Sequence, residues 1–127
     1  MTPALSQERL YTIKDIYALP EGKRAELIDG QIYYMAQPSR KHQRITGELY
    51  ATIREYIRAG HGSWEVDIAP FAVFLNENDR NYMEPDISVI CDPKKLNDQG
   101  CVGAPDWIIE IVSPCSKSMD YNKKLFK

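Results

Sequence analysis

Asp106-Trp107-Ile108-Ile109-Glu110-Ile111-Val112-Ser113-Pro114 is a short β-branched run that stops abruptly at a proline, and one acid stands inside it. Alternation along a strand puts Glu110 on the face it shares with Ile108 and Val112, a face that is otherwise apolar. An ionised carboxylate there costs several kcal/mol unless it is paired or holds a cation. Upstream, Glu84-Pro85-Asp86-Ile87-Ser88-Val89-Ile90 repeats the arrangement. Asp86 opens a second apolar strand directly after a proline, which favours an extended entry. Two such carboxylates at one edge of one sheet make an oxygen-ligand site suited to Mg²⁺ or Mn²⁺. Each residue also has an ordinary reading, Asp86 as a strand-start residue and Glu110 as an ion-paired core acid.

The rest of the chain builds a mixed α/β domain around these strands. Thr12 caps a short helix through Leu19, which Pro20 and Gly22 end. Leu27-Ile28, Asp29-Gly30 and Ile32-Tyr33-Tyr34 read as a hairpin. After Pro38-Ser39, the residues Ile45, Leu49, Ile53 and Ile57 mark an amphipathic helix ending at Gly60 or Gly62. Trp64, Val66 and Ile68, then Phe71 to Leu75, read as two strands, with a polar turn from Asn76 to Asn81. Asp86–Ile90 and Trp107–Val112 are expected to be buried strands, joined by a polar loop from Asp92 to Gly103. A helix is expected from Ser118 to Lys127. Its Asp120 and Lys124 stand four apart, so that Lys124 can lie back over the strand end near Glu110; the same pair is also what an exposed helix commonly carries.

At 127 residues, 43% hydrophobic and 27% charged, the chain has the composition of one globular domain, residues 1–127, with one core. No apolar run approaches the roughly 20 residues that a spanning helix needs, and the expectation is a soluble, cytoplasmic protein without a membrane partner. Its three cysteines show neither paired spacing nor a zinc pattern, and Cys91 is expected to be a buried small hydrophobe. The net charge of −2 excludes a globally basic nucleic-acid binder, but not one whose cations are segregated. Arg40, Lys41, His42 and Arg44 form one such cluster, which reads either as a nucleic-acid contact or as a solvated first helical turn.

Taken together, Arg24-Ala25-Glu26-Leu27-Ile28-Asp29-Gly30, His42, Glu84-Pro85-Asp86 and Glu110-Ile111-Val112-Ser113-Pro114 with Asp120 and Lys124 resemble the Uma-two type of restriction endonuclease, a branch of the PD-(D/E)XK nucleases. The resemblance implies a restriction-endonuclease-like core, one central mixed sheet flanked by helices. It implies Mg²⁺- or Mn²⁺-dependent hydrolysis of phosphodiester bonds, in DNA rather than RNA, by a chain that can pair into a homodimer. Asp86 and Glu110 would be the metal carboxylates, with the Ile111 carbonyl as a further ligand. Lys124, ahead of Lys123 and Lys127 by spacing, would stand in for the lysine that the wider superfamily places two residues after the acid, a position held here by Val112. Glu26 would serve as a further ligand or water-orienting group, and His42 and Asp120 as accessory residues. Further strands are expected beyond Lys127 in this family, so the chain reads as a shortened member. The alternative is a catalytically silent nuclease fold that binds nucleic acid or a protein partner.

Overall fold

The computed structural model describes residues 9–60, 62–75 and 79–112. The expected helix from Ser118, with Asp120 and Lys124, lies outside the described residues. Helix α1 (Ile13–Tyr17) begins as anticipated at Thr12, whose N–H donates to the Asp15 carboxylate at 2.8 Å. The hairpin is also where the sequence places it: β1 (Ala25–Ile28) pairs with β2 (Gln31–Tyr34) across Asp29-Gly30. Both turn residues have positive φ, 49° and 82°, the twist that a two-residue connection between right-twisted strands demands.

Helix α2 (Arg40–Gly60) packs on β3 (Glu65–Ile68), which lies antiparallel to β5 (Ile87–Ile90). On the other side of β5 runs β8 (Trp107–Ile109), also antiparallel. The core-facing line of α2 is Thr46, Tyr50, Ile53 and Ile57, whereas Leu49 is exposed. A line drawn through every fourth residue rotates by about 40° per step at 3.6 residues per turn, so Ile45 and Leu49 drift off the face that Ile57 buries. Buried Ile57, Val66, Ile87 and Val89 form the seam between helix and sheet. Each such aliphatic side chain contributes roughly 1.5–3 kcal/mol by leaving water.

The strands divide into three ladders among the described residues, where one continuous sheet was expected. β4 (Ala72–Phe74) pairs in parallel with β7 (Gly100–Val102), which pairs with β6 (Leu96–Asn97). Isolated bridges from Tyr82 to Leu27 and from Met83 to Val73 tie this ladder to the hairpin. Residues 82–90 therefore run through the whole molecule. Tyr82 sits in the cluster with Ile16 and Leu27, Met83 and Ile90 pack with Val73 and Cys101, and Ile87 and Val89 face the helix.

Three other expectations are corrected. The Asp92–Gly103 segment is not a plain loop: Asp92 caps a 3₁₀ turn (Pro93–Lys95), and Asn97 Oδ1 accepts from the N–H groups of Gln99 and Gly100 to close the β6–β7 hairpin. Trp107 is 54% exposed, because β8 ends its ladder among the described residues. Cys91 is only partly buried at the end of β5, and the fully buried thiol is that of Cys101.

Candidate active site

Strand register brings the two anomalous carboxylates together. The β5–β8 pairing matches Ile87 with Ile109, and one step further it sets Asp86 opposite Glu110. Two hydrogen bonds extend the ladder through side chains at that step. The Asp86 N–H donates to Glu110 Oε1 at 3.0 Å, and the Ile111 N–H donates to Asp86 Oδ2 at 2.8 Å. Asp86 is held on its other flank as well, where its carbonyl accepts from the Ala69 N–H. Pro85 explains why the ladder changes character here, since it has no N–H to contribute.

The first turn of α2 supplies the third group. His42 Nε2 stands 3.2 Å from Asp86 Oδ2, and with the proton on Nε2 this is a hydrogen bond. Both side chains are mostly enclosed, at 18% and 16% exposure, so the contact is sheltered without being sealed from solvent. Thr46 bonds back to the His42 carbonyl, which anchors the turn that carries the imidazole.

Next to Asp86 in the chain lies a set of linked charged groups. Glu26, on β1, is only 2% exposed, and its Oε2 accepts from the Glu84 N–H at 2.9 Å. The Glu84 carboxylate receives Arg24 through both Nε and Nη2 at 2.8 Å, and the Tyr82 hydroxyl at 2.8 Å. Burial and the neighbouring Glu84 charge push the Tyr82 hydroxyl far above its ordinary pKa, so it is a standing donor. Arg24 and Glu84 are 60 residues apart, and no local spacing signals their pairing. The one hint is that both lie inside motifs, Arg24 ahead of Glu-Leu-Ile-Asp-Gly and Glu84 ahead of Pro-Asp.

Of the residues singled out from sequence, the structure gathers Asp86, Glu110, His42 and the Ile111 backbone at one strand end, with Glu26 bonded to Glu84 two residues before Asp86. Asp120 and Lys124 lie outside the described residues. No three His, Cys, Asp or Glu side chains converge into a metal-holding group among the described residues. Two carboxylates nevertheless suit Mg²⁺, which keeps several waters and takes one or two protein carboxylates rather than a full protein cage.

The chain is similar to known proteins in sequence and in fold. A family model, Uma2, described as "Putative restriction endonuclease", matches residues 12–127. Two Synechocystis proteins described as uncharacterized, slr1290 and sll1609, are each 28% identical to the chain over 102 and 104 residues. The matches cover 80% of this chain and 52% and 57% of theirs, so the chain spans about half the length of these curated relatives. A crystal structure of "a putative nuclease belonging to DUF820" from Anabaena variabilis superposes with a TM-score of 0.65 at 24% identity, covering 87% of this chain and 64% of that one. That likeness establishes a shared fold.

Proposed function

The chain belongs to the Uma2 family, described as restriction endonucleases, and we propose that it is a metal-dependent nuclease that hydrolyses phosphodiester bonds in DNA. The observation that carries this reading is the juxtaposition of Asp86 and Glu110, cross-linked through Asp86 N–H and Ile111 N–H at the end of β5 and β8. Catalysis of phosphodiester hydrolysis is largely positioning and electrostatic stabilisation, and carboxylates held this way need no rearrangement before they act. Mg²⁺ or Mn²⁺, held by Asp86, Glu110 and the Ile111 carbonyl, would supply a lowered water pKa and stabilise the negative charge that develops on the phosphate.

The chain's own groups then have distinct tasks. His42 fixes the Asp86 carboxylate from the helix side while Ile111 N–H fixes it from the strand side. Glu26 is a positioning residue: its carboxylate holds the Glu84 backbone, and through it the approach of Pro85 to Asp86. The Arg24–Glu84–Tyr82 set keeps that approach rigid. Lys124 is assigned the neutralisation of charge on the phosphate during attack by water. The described thiols, Cys91 and Cys101, are both free, as suits a cytoplasmic, reducing setting. No helix among the described residues is long and apolar enough to cross a membrane.

The test is cleavage of a labelled DNA duplex by the purified chain in Mg²⁺ and in EDTA. Cleavage in Mg²⁺ alone is expected, with Asp86→Ala and Glu110→Ala each losing about 10²-fold or more in rate while circular dichroism stays near wild type. Undiminished cleavage by either variant would remove the assignment.

A further inference from the structure

Seen along its axis, helix α2 carries a line that neither the core nor the carboxylate site uses: Arg40, Arg44, Gly47, Ala51, Arg54 and Arg58. Their spacings of four, three, four, three and four keep them on one side. The core-facing line through Thr46, Tyr50, Ile53 and Ile57 lies a quarter-turn or so away. All four arginines are exposed, and among the described residues none is ion-paired.

This arrangement works against the helix itself. Arg40 with Arg44, and Arg54 with Arg58, are like charges at i and i+4, which repel on a helix surface. Arg40, Lys41 and Arg44 also sit at the N-terminal end, where the helix dipole disfavours cations, and the first turn holds no acid to offset them. The helix carries five cations against Glu48 and Glu55 in a chain whose net charge is −2. The helix is therefore net positive while the remainder of the chain, with eleven cations against sixteen acids, is net negative. Between the two arginine pairs the side chains shrink to Gly47 and Ala51, and a Cβ added to Gly47 meets nothing within 4 Å. The helix can therefore sit close over an opening there, with no long side chain on the line between the two pairs.

The geometry points to a duplex-DNA docking surface along this side of α2, with the helix laid across a groove. The midpoints of the two arginine pairs stand about 21 Å apart at 1.5 Å per residue. That exceeds the roughly 12 Å opening of the B-form major groove, so the pairs reach phosphates on opposite walls while Gly47 and Ala51 face the gap. A-form duplexes have a deep, narrow major groove and do not offer the same span. His42, which touches Asp86, falls between the first arginine pair in sequence but on roughly the opposite side of the helix, so the arginine line is separate from the carboxylate site. At the far end a cavity of about 170 Å³ opens beside Arg54 and Arg58, with Trp64 and Glu65 on its wall. This surface rests on the nuclease reading for its partner, and it is tested by binding without cleavage.

The experiment is fluorescence anisotropy of a labelled 20-base-pair DNA duplex in EDTA, between 50 and 200 mM salt. Each phosphate contact contributes about 0.9 to the slope of log K against log salt, so Arg40→Gln/Arg44→Gln/Arg54→Gln/Arg58→Gln should flatten the slope by about 3 to 4. Ala51→Glu, a single change in the gap, should weaken binding at 50 mM salt by tenfold or more. Glutamine is a good helix former, and unchanged circular dichroism would show that α2 persists. Lys14→Gln/Lys23→Gln removes two exposed cations elsewhere and should leave the slope unchanged. Three results would overturn the surface: a slope unaltered in the quadruple variant, an equal flattening in the Lys14/Lys23 control, or an RNA duplex bound as tightly with the same response. If wild type cleaves DNA but the quadruple variant keeps its slope, the surface falls and the nuclease reading stands. If wild type binds no duplex the surface falls, and the cleavage assay decides the nuclease reading separately.

Discussion

Glu26 is a buried acid whose carboxylate holds the backbone leading to Asp86. It is almost fully enclosed and accepts the Glu84 N–H, so its removal leaves a buried donor unsatisfied. Glu26→Ala is expected to cost about 1–3 kcal/mol in urea unfolding, whereas Glu26→Gln, which keeps an acceptor oxygen, should recover most of that. A Gln variant as unstable as the Ala variant would mean that the charge, not the hydrogen bond, matters.

Asp67 is the second residue with a measurable signature. It stands opposite Ser88 in the β3–β5 register; Asp67 Oδ2 and Ser88 Oγ are buried and have no hydrogen-bond partner among the described residues. Burial, then a hydrogen bond with and the charge of Glu65, push its carboxyl from 3.8 up to about 7. A raised acid pKa means the folded state binds the proton more tightly than the unfolded state, so the contribution of Asp67 to stability is fully present below about pH 4 and is lost as pH rises through about 7. Thermal melts should therefore show Tm falling between pH 5 and pH 7.5 in wild type, and a flatter profile in Asp67→Asn. Parallel profiles would show that Asp67 ionises normally.

Among the elements, legibility followed locality. The Asp29-Gly30 hairpin and the start of α1 were readable because the residues that specify each lie within a few positions of one another. The β6–β7 hairpin was not, because its strands span two and three residues and are held by an Asn97 side chain and by pairing with β4, far off in sequence. Its determinant is Gly100, with φ at 144°, where an added Cβ would strike the Ala72 backbone carbonyl. Gly100→Ala should therefore destabilise the chain by about 1–3 kcal/mol, from a strained φ and a displaced β4, read as a lower urea midpoint. A neutral effect would mean that the β4–β7 pairing is softer than its contacts imply. The expected apolar face of α2 holds at Ile53 and Ile57 and fails at Leu49, since a fixed four-residue step ignores the 3.6-residue turn.

At the scale of the molecule, residues 82–90 are the organising thread. They bridge the hairpin and the β4 ladder, pass the Glu84–Arg24 pair, present Asp86 to Glu110 and end between β3 and β8. Asp86 and Glu110 were legible as acids in apolar strands, because a carboxylate in that setting calls for a compensating partner wherever it occurs. The Glu26–Glu84–Arg24–Tyr82 set was not legible, because it exists only once β1 is packed beside the thread. The fold therefore brings two acids together at a strand end and sets the Arg24–Glu84 ion pair on the segment that leads to them.

The most direct test of that account is isothermal titration calorimetry of Mn²⁺ into the purified 127-residue chain, beside the Asp86→Ala/Glu110→Ala double variant. Saturable binding to wild type that disappears in the folded double variant is the predicted result. Absence of binding to a folded wild type, or equal binding in the double variant, would contradict a metal-dependent site at these carboxylates.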